Sequence, residues 1–224
     1  MSSVSSRKIS AFLWDVDGTI VDSRKFAFDA TNDALKRLGK RTYSPEEFRE
    51  LFSSDYKVHI KHMGINSARE LSLLVDTWNA KLATDREKFK LYDGILDVLR
   101  YLHGHDYEMA LVSSTSRSQI QLYFKMFGIG QFFSAVIARE DVDEQKPSTK
   151  PISQVAERLS VSPGNCVLID DMEDGIRAAK KLGATTIGVT WGFNSRQRIA
   201  SAKPDFIAKT PNELYRIISE RLRC

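Results

Sequence analysis

The feature that most constrains the fold of this chain is a series of short apolar runs, rich in β-branched residues, that alternate with helical patterns. The runs predicted to be strands are ISAFLW at 9–14, EMALV at 108–112, SAVIA at 134–138, CVLI at 166–169 and TTIGV at 185–189. The helical patterns between the later runs cover 94–102, 119–127, 152–159 and 175–182. This alternation predicts an α/β fold in which a parallel sheet carries helices on both faces.

Residues 22–91 interrupt the alternation without a convincing strand pattern. Apolar residues at helical spacing start at Phe26 and recur from Leu71 to Trp78. We therefore predict an all-helical cap domain at 22–91, inserted into a catalytic core made of 1–21 and 92–224. Because ligands of parallel sheets bind beyond the carboxyl ends of the strands, such a cap would stand over the functional edge.

Composition and charge exclude several classes of function. Hydrophobic residues make up 42% of the 224 residues, and the net charge is +4. The basic residues are scattered, so nucleic-acid binding is not expected. The chain has no apolar run long enough for a membrane helix and no signal-peptide pattern, so we expect a cytoplasmic protein without a membrane partner. Cys166 and Cys224 are predicted to be free thiols, and the sequence does not distinguish a monomer from a homodimer.

Two carboxylates follow the first predicted strand. Asp15 and Asp17 flank Val16, and Gly18-Thr19 then turns the chain towards the insertion. Like charges this close repel each other unless a cation or a proton lies near them. Mg²⁺ prefers carboxylate and carbonyl oxygens, so a magnesium site is one interpretation and a solvated turn is the other.

The run at 166–169 also ends in acids. Asp170 and Asp171 follow it, and Asp174 lies three residues further on, where it could instead offset the dipole of a helix. Parallel strands present their carboxyl ends at one edge of the sheet. The four carboxylates of the two strand ends are therefore expected to converge.

Hydroxyl and amino groups follow two other predicted strands. Ser113 and Ser114 open a row of hydroxyls suited either to phosphate oxygens or to capping a helix. Lys146 and Lys150 follow the third run, where either could neutralise a phosphate or lie exposed in a loop.

Taken in order, these motifs resemble the haloacid dehalogenase-like hydrolase superfamily. The matching segments are DVDGT at 15–19, the hydroxyl that ends ALVSS, the lysine of KPSTKPISQVAERL, and DDMEDGIRAAKKLGATTIGV at 170–189. The segments TWGFNSRQRI and KPDFIAKTPNEL resemble its phosphoglycolate phosphatase branch. The resemblance implies a Rossmann-like core with a small helical cap, and a phosphatase for a small phosphorylated metabolite such as 2-phosphoglycolate.

The resemblance also implies an aspartyl-phosphate mechanism. Asp15 would attack phosphorus, and Asp17 would protonate the leaving oxygen and later activate water. Ser113 and the backbone amide of Ser114 would hold the phosphoryl oxygens, while Lys146 would balance their charge.

A Mg²⁺ cofactor belongs to this implied mechanism. Its ligands would be the Asp15 side chain, the Asp17 backbone carbonyl and Asp171, with Asp170 supporting it through water. The sequence departs from the family where Asp170 replaces a commoner glycine and where KPSTKP replaces KPxPD.

Other functions remain open at the level of sequence. A sugar phosphomutase is disfavoured because the insertion lacks the expected glycine-and-arginine signature. A phospho-acceptor switch is disfavoured because Asp17 would hydrolyse the acyl phosphate. A catalytically silent binding module is disfavoured because all the implied catalytic side chains are present. In the insertion, Lys57, Lys61 and Arg69 could meet a substrate carboxylate or be exposed charges, and His59 is interpreted as a surface or packing residue.

Overall fold

The computed structural model describes residues 8–53 and 55–222. Its strands are β1 (Ala11–Trp14), β2 (Val21–Asp22), β3 (Lys90–Leu91), β4 (Glu108–Val112), β5 (Ala135–Ile137), β6 (Cys166–Asp170), β7 (Thr185–Val189) and β8 (Phe206–Ala208). Six of them form one sheet in the order β5-β4-β1-β6-β7-β8, in which all neighbours are parallel. The predicted parallel α/β sheet is confirmed.

The helices cover both faces of the sheet and fill the insertion. They are α1 (Arg24–Arg37), α2 (Pro45–Leu51), α3 (Tyr56–His62), α4 (Ala68–Thr84), α5 (Ile95–Gly104), α6 (Arg117–Phe127), α7 (Lys150–Arg158), α8 (Glu173–Lys181), α9 (Arg196–Ser201) and α10 (Pro211–Arg216). Short 3₁₀ turns lie at Arg86–Lys88, Gly130–Phe132, Arg139–Asp141 and Pro163–Asn165, and a π turn follows α10 at Ile217–Arg221. The helices α5 to α8 lie where the apolar spacing predicts them.

The sheet is buried on both faces, which explains why its strands are continuous apolar runs. Successive side chains of β1 point to opposite faces. Phe12 and Trp14 pack in one apolar cluster with Leu99 of α5, whereas Leu13 packs in the other with Ile152 of α7. Strand β1 lies inside the sheet, between β4 and β6, and this position is consistent with the burial of both its faces.

The insertion begins and ends in a two-stranded antiparallel ribbon. Strand β2 pairs with β3, with Val21 opposite Leu91 and Asp22 opposite Lys90. This ribbon was not expected from the sequence, because two-residue strands are too short to show a periodic pattern. In the sequence, the four helices α1 to α4 come between β2 and β3. They contribute to an apolar cluster that includes Leu35 and Phe48.

The sequence analysis also missed the last part of the sheet. Strand β8 has three residues at the edge of the sheet, and helices α9 and α10 have six residues each, so none gives a long periodic signal. Cys166 is a buried free thiol, as expected, while Cys224 lies outside the described residues. No helix in the described ranges is long and apolar enough to cross a membrane.

Candidate active site

Three aspartates converge at the carboxyl edge of the sheet. Asp15 follows β1, Asp170 ends β6, and Asp171 comes next in the chain. One carboxylate oxygen from each lies within 4.8 Å of the others, and all three residues are buried. The convergence results from the parallel pairing of β1 with β6, which places Trp14 beside Ile169 and so brings both acidic ends to one level.

Lys146 is the cation of this cluster. Its Nζ donates to Asp15 Oδ1 at 2.7 Å, to Asp170 Oδ2 at 2.7 Å and to the Val112 carbonyl at 3.2 Å, and the residue is only 1% exposed. Burial alone would lower the pKa of Lys146, but Asp15 and Asp170 outweigh burial and raise it. Lys150, the alternative at the sequence level, instead pairs with exposed Glu144 outside the cluster.

Contacts with the turn after Asp17 and with the loop after β7 hold Asp171 in place. Its Oδ1 accepts from the Thr19 hydroxyl at 2.8 Å, and its Oδ2 accepts from the Phe193 amide at 2.7 Å. A Cβ at Gly18 or Gly192 would overlap the Asp171 carboxylate. Gly18 also has φ +84°, a conformation that favours glycine. The glycine of DVDGT is thus required both for the turn and for the approach of Asp171.

Asp170 faces the lysine rather than open solvent. Its Oδ1 accepts from the Met172 amide at 2.8 Å while its Oδ2 accepts from Lys146. A Cβ at Gly175 would overlap the Asp170 carboxylate, so helix α8 can approach only with glycine there. Asp174 lies apart from the cluster in the first turn of α8, where an acid offsets the helix dipole.

The donor set fits a divalent cation. Three buried carboxylates face one lysine, so the ionised cluster would keep a net charge of about −2 without a further positive charge. Burial and the neighbouring charges of Asp15 and Asp170 raise the pKa of Asp171 well above its ordinary value, which is the mark of a carboxylate that lacks a positive partner. Clustered carboxylates of this kind are the ligands that Mg²⁺ prefers.

The cluster makes stability depend on pH in the metal-free protein. A carboxyl whose folded pKa is raised stabilises the fold below its unfolded pKa of about 3.9, and the stabilisation is lost as pH rises through the folded pKa. Burial lowers the pKa of His59 to about 4, so the contribution of His59 to the stability of the fold rises with pH between about pH 4 and 6.5. A comparison with Asp171→Asn cancels the histidine contribution.

We expect the stability of the wild type to fall relative to Asp171→Asn as pH rises above about 4, by up to about 1.4 kcal/mol per pH unit. Urea denaturation in EDTA at several pH values measures this difference. Excess Mg²⁺ should remove the fall, because a bound cation favours the ionised carboxylates. Parallel pH curves of the two proteins in EDTA would contradict the interpretation.

Asp17 has a separate environment from the three clustered aspartates. Its carboxylate accepts hydrogen bonds from the Thr115 hydroxyl and, at 2.7 Å, from the Tyr123 hydroxyl. Burial raises the pKa of Asp17, and these hydrogen bonds oppose that rise only in part. A raised pKa favours the protonated form of the carboxyl, which is the form that a proton donor needs.

Thr115 and Tyr123 were not found by the sequence analysis. Thr115 lies in the row of hydroxyls after β4 and also accepts from Ser113 Oγ at 3.0 Å. Tyr123 projects from α6 and accepts from Gln119 at 2.5 Å. The hydroxyl row was a signal for Thr115, but a tyrosine within a helical apolar pattern gives no sign that its hydroxyl reaches a strand end.

The structure places the two predicted phosphate-binding serines beside these acids. Ser113 and Ser114 line the same cavity as Asp15 and Asp17. The Ser114 hydroxyl is buried and has no hydrogen-bond partner among the described residues. Ser116 instead caps α6 by accepting from the Gln119 amide at 3.3 Å. The helix-cap interpretation thus applies to Ser116, whereas phosphate binding by Ser113 and Ser114 stays a prediction.

A cavity of about 480 Å³ extends from the acids to the inserted helices. Contacts between insertion and core close one side of it. Phe52, just after α2, stacks on Phe193 with ring centroids 4.1 Å apart. Arg198 of α9 donates to the Glu50 carbonyl at 2.9 Å while it pairs with Glu173 at 2.9 Å. The insertion therefore forms the roof over the carboxyl edge of the sheet.

The fold and this acidic edge define a class of α/β enzyme with a lid over the strand ends. Residues 12–189 match the family described as haloacid dehalogenase-like hydrolase. The chain belongs to this family, as the sequence resemblance predicted, and is an enzyme of the hydrolase class.

Individual relatives cover the chain almost completely. A phosphoglycolate phosphatase of Synechococcus elongatus is 25% identical over 215 residues, which are 96% of this chain and 100% of that protein. The pyrophosphatase PpaX of Listeria innocua is 24% identical over 214 residues, which are 95% of this chain and 98% of that protein.

Solved structures share the fold. A predicted phosphoglycolate phosphatase from Haemophilus somnus has a TM-score of 0.83 at 21% identity, covering 96% of this chain and 100% of that chain. A predicted phosphatase from Clostridium acetobutylicum has a TM-score of 0.84 at 20% identity, covering 95% and 99%. At such low identity the likeness establishes the fold alone.

Proposed function

We propose that this protein is a Mg²⁺-dependent phosphatase that hydrolyses small phosphomonoesters through an aspartyl-phosphate intermediate. One observation carries the proposal. Asp15 has one oxygen held by Lys146, and it shares the floor of the cavity with a second, separately bonded carboxyl on Asp17. A nucleophile and a proton carrier thus lie side by side in one enclosed site.

In the first half of the reaction, a carboxylate oxygen of Asp15 forms a bond to phosphorus as the bond from phosphorus to the alcohol oxygen breaks. Asp17 gives its proton to that leaving oxygen. Ser113, the Ser114 amide and Lys146 offset the charge on the phosphoryl oxygens. Thr115 and Tyr123 hold the Asp17 carboxyl in position.

In the second half, Asp17 takes a proton from water, and the water oxygen attacks phosphorus. The bond between phosphorus and Asp15 then breaks, which releases inorganic phosphate and restores both carboxyls. A Mg²⁺ ion held by Asp15, the Asp17 carbonyl and Asp171, with Asp170 in support, would neutralise phosphoryl charge and orient the ester. Lys146 holds the Asp15 carboxylate in place throughout.

The proposal also assigns the two domains, the partner and the substrate. Residues 22–91, which include helices α1 to α4, form a cap domain. It covers a core made of residues 1–21 and 92–224. The partner is a small phosphorylated metabolite in the cytoplasm, not nucleic acid or a membrane. Similarity to the phosphoglycolate phosphatase of Synechococcus elongatus, taken alone, favours 2-phosphoglycolate as the reference ester for assays.

The test is a phosphate-release screen over a panel of phosphomonoesters, with Mg²⁺ and with EDTA, using Asp15→Asn protein as the blank. We expect release only with Mg²⁺ and only from the wild type. A phosphoenzyme that persists for many minutes would favour a phospho-acceptor switch, and isomerisation of a sugar phosphate without release would favour a phosphomutase. Either result would overturn the proposal.

A further inference from the structure

The part of the cavity wall that the inserted helices supply is largely apolar. Helix α4 turns one stripe towards it, made of Leu71, Leu74, Val75, Trp78 and Leu82. These positions follow the i, i+3, i+4, i+7, i+11 pattern and therefore share one face of the helix. The sequence shows this stripe, but a helix face of this kind usually packs in a core. Here it borders the space where the alcohol part of an ester would lie.

Two phenylalanines beside this stripe extend the apolar lining. Phe26 of α1 and Phe52 line the cavity, and Trp78 meets Phe26 edge to face with ring centroids 5.5 Å apart. The volume of about 480 Å³ lies in the range of about 300–1,000 Å³ found for pockets that hold drug-sized molecules. A two-carbon glycolate group would leave most of this apolar space unfilled.

Positive charge is scarce around the cavity. Of the described residues that line it, Arg139 alone is a permanent cation. Its guanidinium lies over the Tyr56 ring at 5.5 Å and contacts Glu140 at 3.5 Å, with a side chain 41% exposed. His59 is uncharged at neutral pH, because burial lowers its pKa to about 4.

The basic residues of the insertion that could have met a substrate carboxylate do not supply this charge. Lys57, Lys61 and Arg69 are all exposed and do not line the cavity. A second anionic group on the substrate would therefore lose its water against apolar walls, and the only cation lining the described cavity, Arg139, already pairs with Glu140. The charge distribution disfavours both glycolate and a second phosphate as the leaving group.

We propose that the substrates of this enzyme are phosphomonoesters of uncharged, largely apolar alcohols, such as longer alkyl or arylalkyl alcohols. This inference rests on the proposed phosphatase function and narrows its substrate class. The phosphate lies against Asp15 and the hydroxyl row, and the apolar group lies along the stripe of α4 and against the two phenylalanines. Burial of the apolar group supplies the binding free energy that selects the substrate.

The first test compares esters of primary alcohols, whose leaving groups are chemically similar. The panel is ethyl, butyl, hexyl and 2-phenylethyl phosphate with 2-phosphoglycolate, assayed with Mg²⁺. We expect kcat/KM to rise about fourfold for each buried methylene, and to be at least about tenfold higher for 2-phenylethyl phosphate than for 2-phosphoglycolate. A flat alkyl series, or a preference for 2-phosphoglycolate, would overturn the inference.

A pair of matched variants tests the position of the leaving group. Val75 lines the cavity and is 41% exposed, while Val58 on α3 is 39% exposed and lies outside the lining. We expect Val75→Arg to raise the ratio of kcat/KM for 2-phosphoglycolate to that for 2-phenylethyl phosphate by about tenfold or more. Val58→Arg should leave the ratio unchanged, and equal shifts in both variants would contradict the placement.

A binding measurement separates failure of this inference from failure of the phosphatase function. Calorimetry on Asp15→Asn protein compares 3-phenylpropylphosphonate with 3-phosphonopropionate, the non-hydrolysable counterparts of the phenylethyl and glycolate esters. Tighter binding of the phenyl compound supports the apolar site even if no ester is hydrolysed, a result that would reject only the phosphatase. Tighter binding of the carboxylate compound, with esters hydrolysed, would reject only the inference.

Discussion

The Asp15→Asn protein is expected to release phosphate at least about 10⁴-fold more slowly than the wild type while staying folded. Asparagine keeps the shape of the side chain but supplies no carboxylate to attack phosphorus. Its effect on folding should be small or favourable, because Asp15 belongs to a cluster of three buried carboxylates, and Asp170 stays paired with Lys146 after the substitution. Loss of turnover together with retained stability would identify Asp15 as the nucleophile.

The matched control for this variant is Asp174→Asn. Asp174 lies at the same edge of the sheet in the first turn of α8, but outside the three-carboxylate cluster. Its replacement should change kcat by only a few fold. Initial rates on the best ester of the panel and urea denaturation would be measured for both variants. Undiminished turnover in Asp15→Asn would refute the aspartyl-phosphate mechanism.

Lys146→Met is expected to lower both activity and stability. It removes the cation that bonds Asp15 and Asp170 at 2.7 Å each, and it leaves buried carboxylates without that partner. Breaking a buried ion pair in this way costs about 3–5 kcal/mol. Turnover should fall by at least about 10³-fold, because Asp15 loses the group that orients it and phosphate loses a positive charge.

Two further variants separate the structural effect from the chemical one. Lys150→Met removes an exposed lysine that pairs only with exposed Glu144, so stability should change by less than about 0.5 kcal/mol. Lys146→Met with Asp170→Asn removes both members of one pair and should recover part of the lost stability without restoring turnover. If the double variant regains activity, Lys146 acts only as a support for the fold.

The acidic edge of the sheet could be predicted because its aspartates directly follow strands. Asp15 and Asp171 each come at the end of an apolar run, and parallel strands bring such ends together. Lys146 lies instead in the loop between β5 and α7. The choice of Lys146 over Lys150 came from resemblance, and the structure places only Lys146 in the cluster. Sequence patterns thus reached the residues whose position depends on the sheet itself.

Contacts that depend on tertiary packing could not be reached in this way. Tyr123 meets Asp17 across 106 positions of sequence, and the Phe193 amide meets Asp171 from a loop after β7. The apolar stripe of α4 was visible as helix spacing, but the same spacing serves a helix packed in a core and one that borders a cavity. Only the arrangement of the helices distinguishes the two.

The paired strands β2 and β3 bear on how such an enzyme can diversify. They bring the two ends of the insertion side by side, with Asp22 opposite Lys90. A segment whose ends already meet can change in length or sequence at little entropic cost to the rest of the chain. The four helices between the strands are thus an exchangeable cassette. Evolution, or protein engineering, could therefore replace the helices that line the cavity without changing the spacing of Asp15 and Asp17 or the other residues at the edge of the sheet.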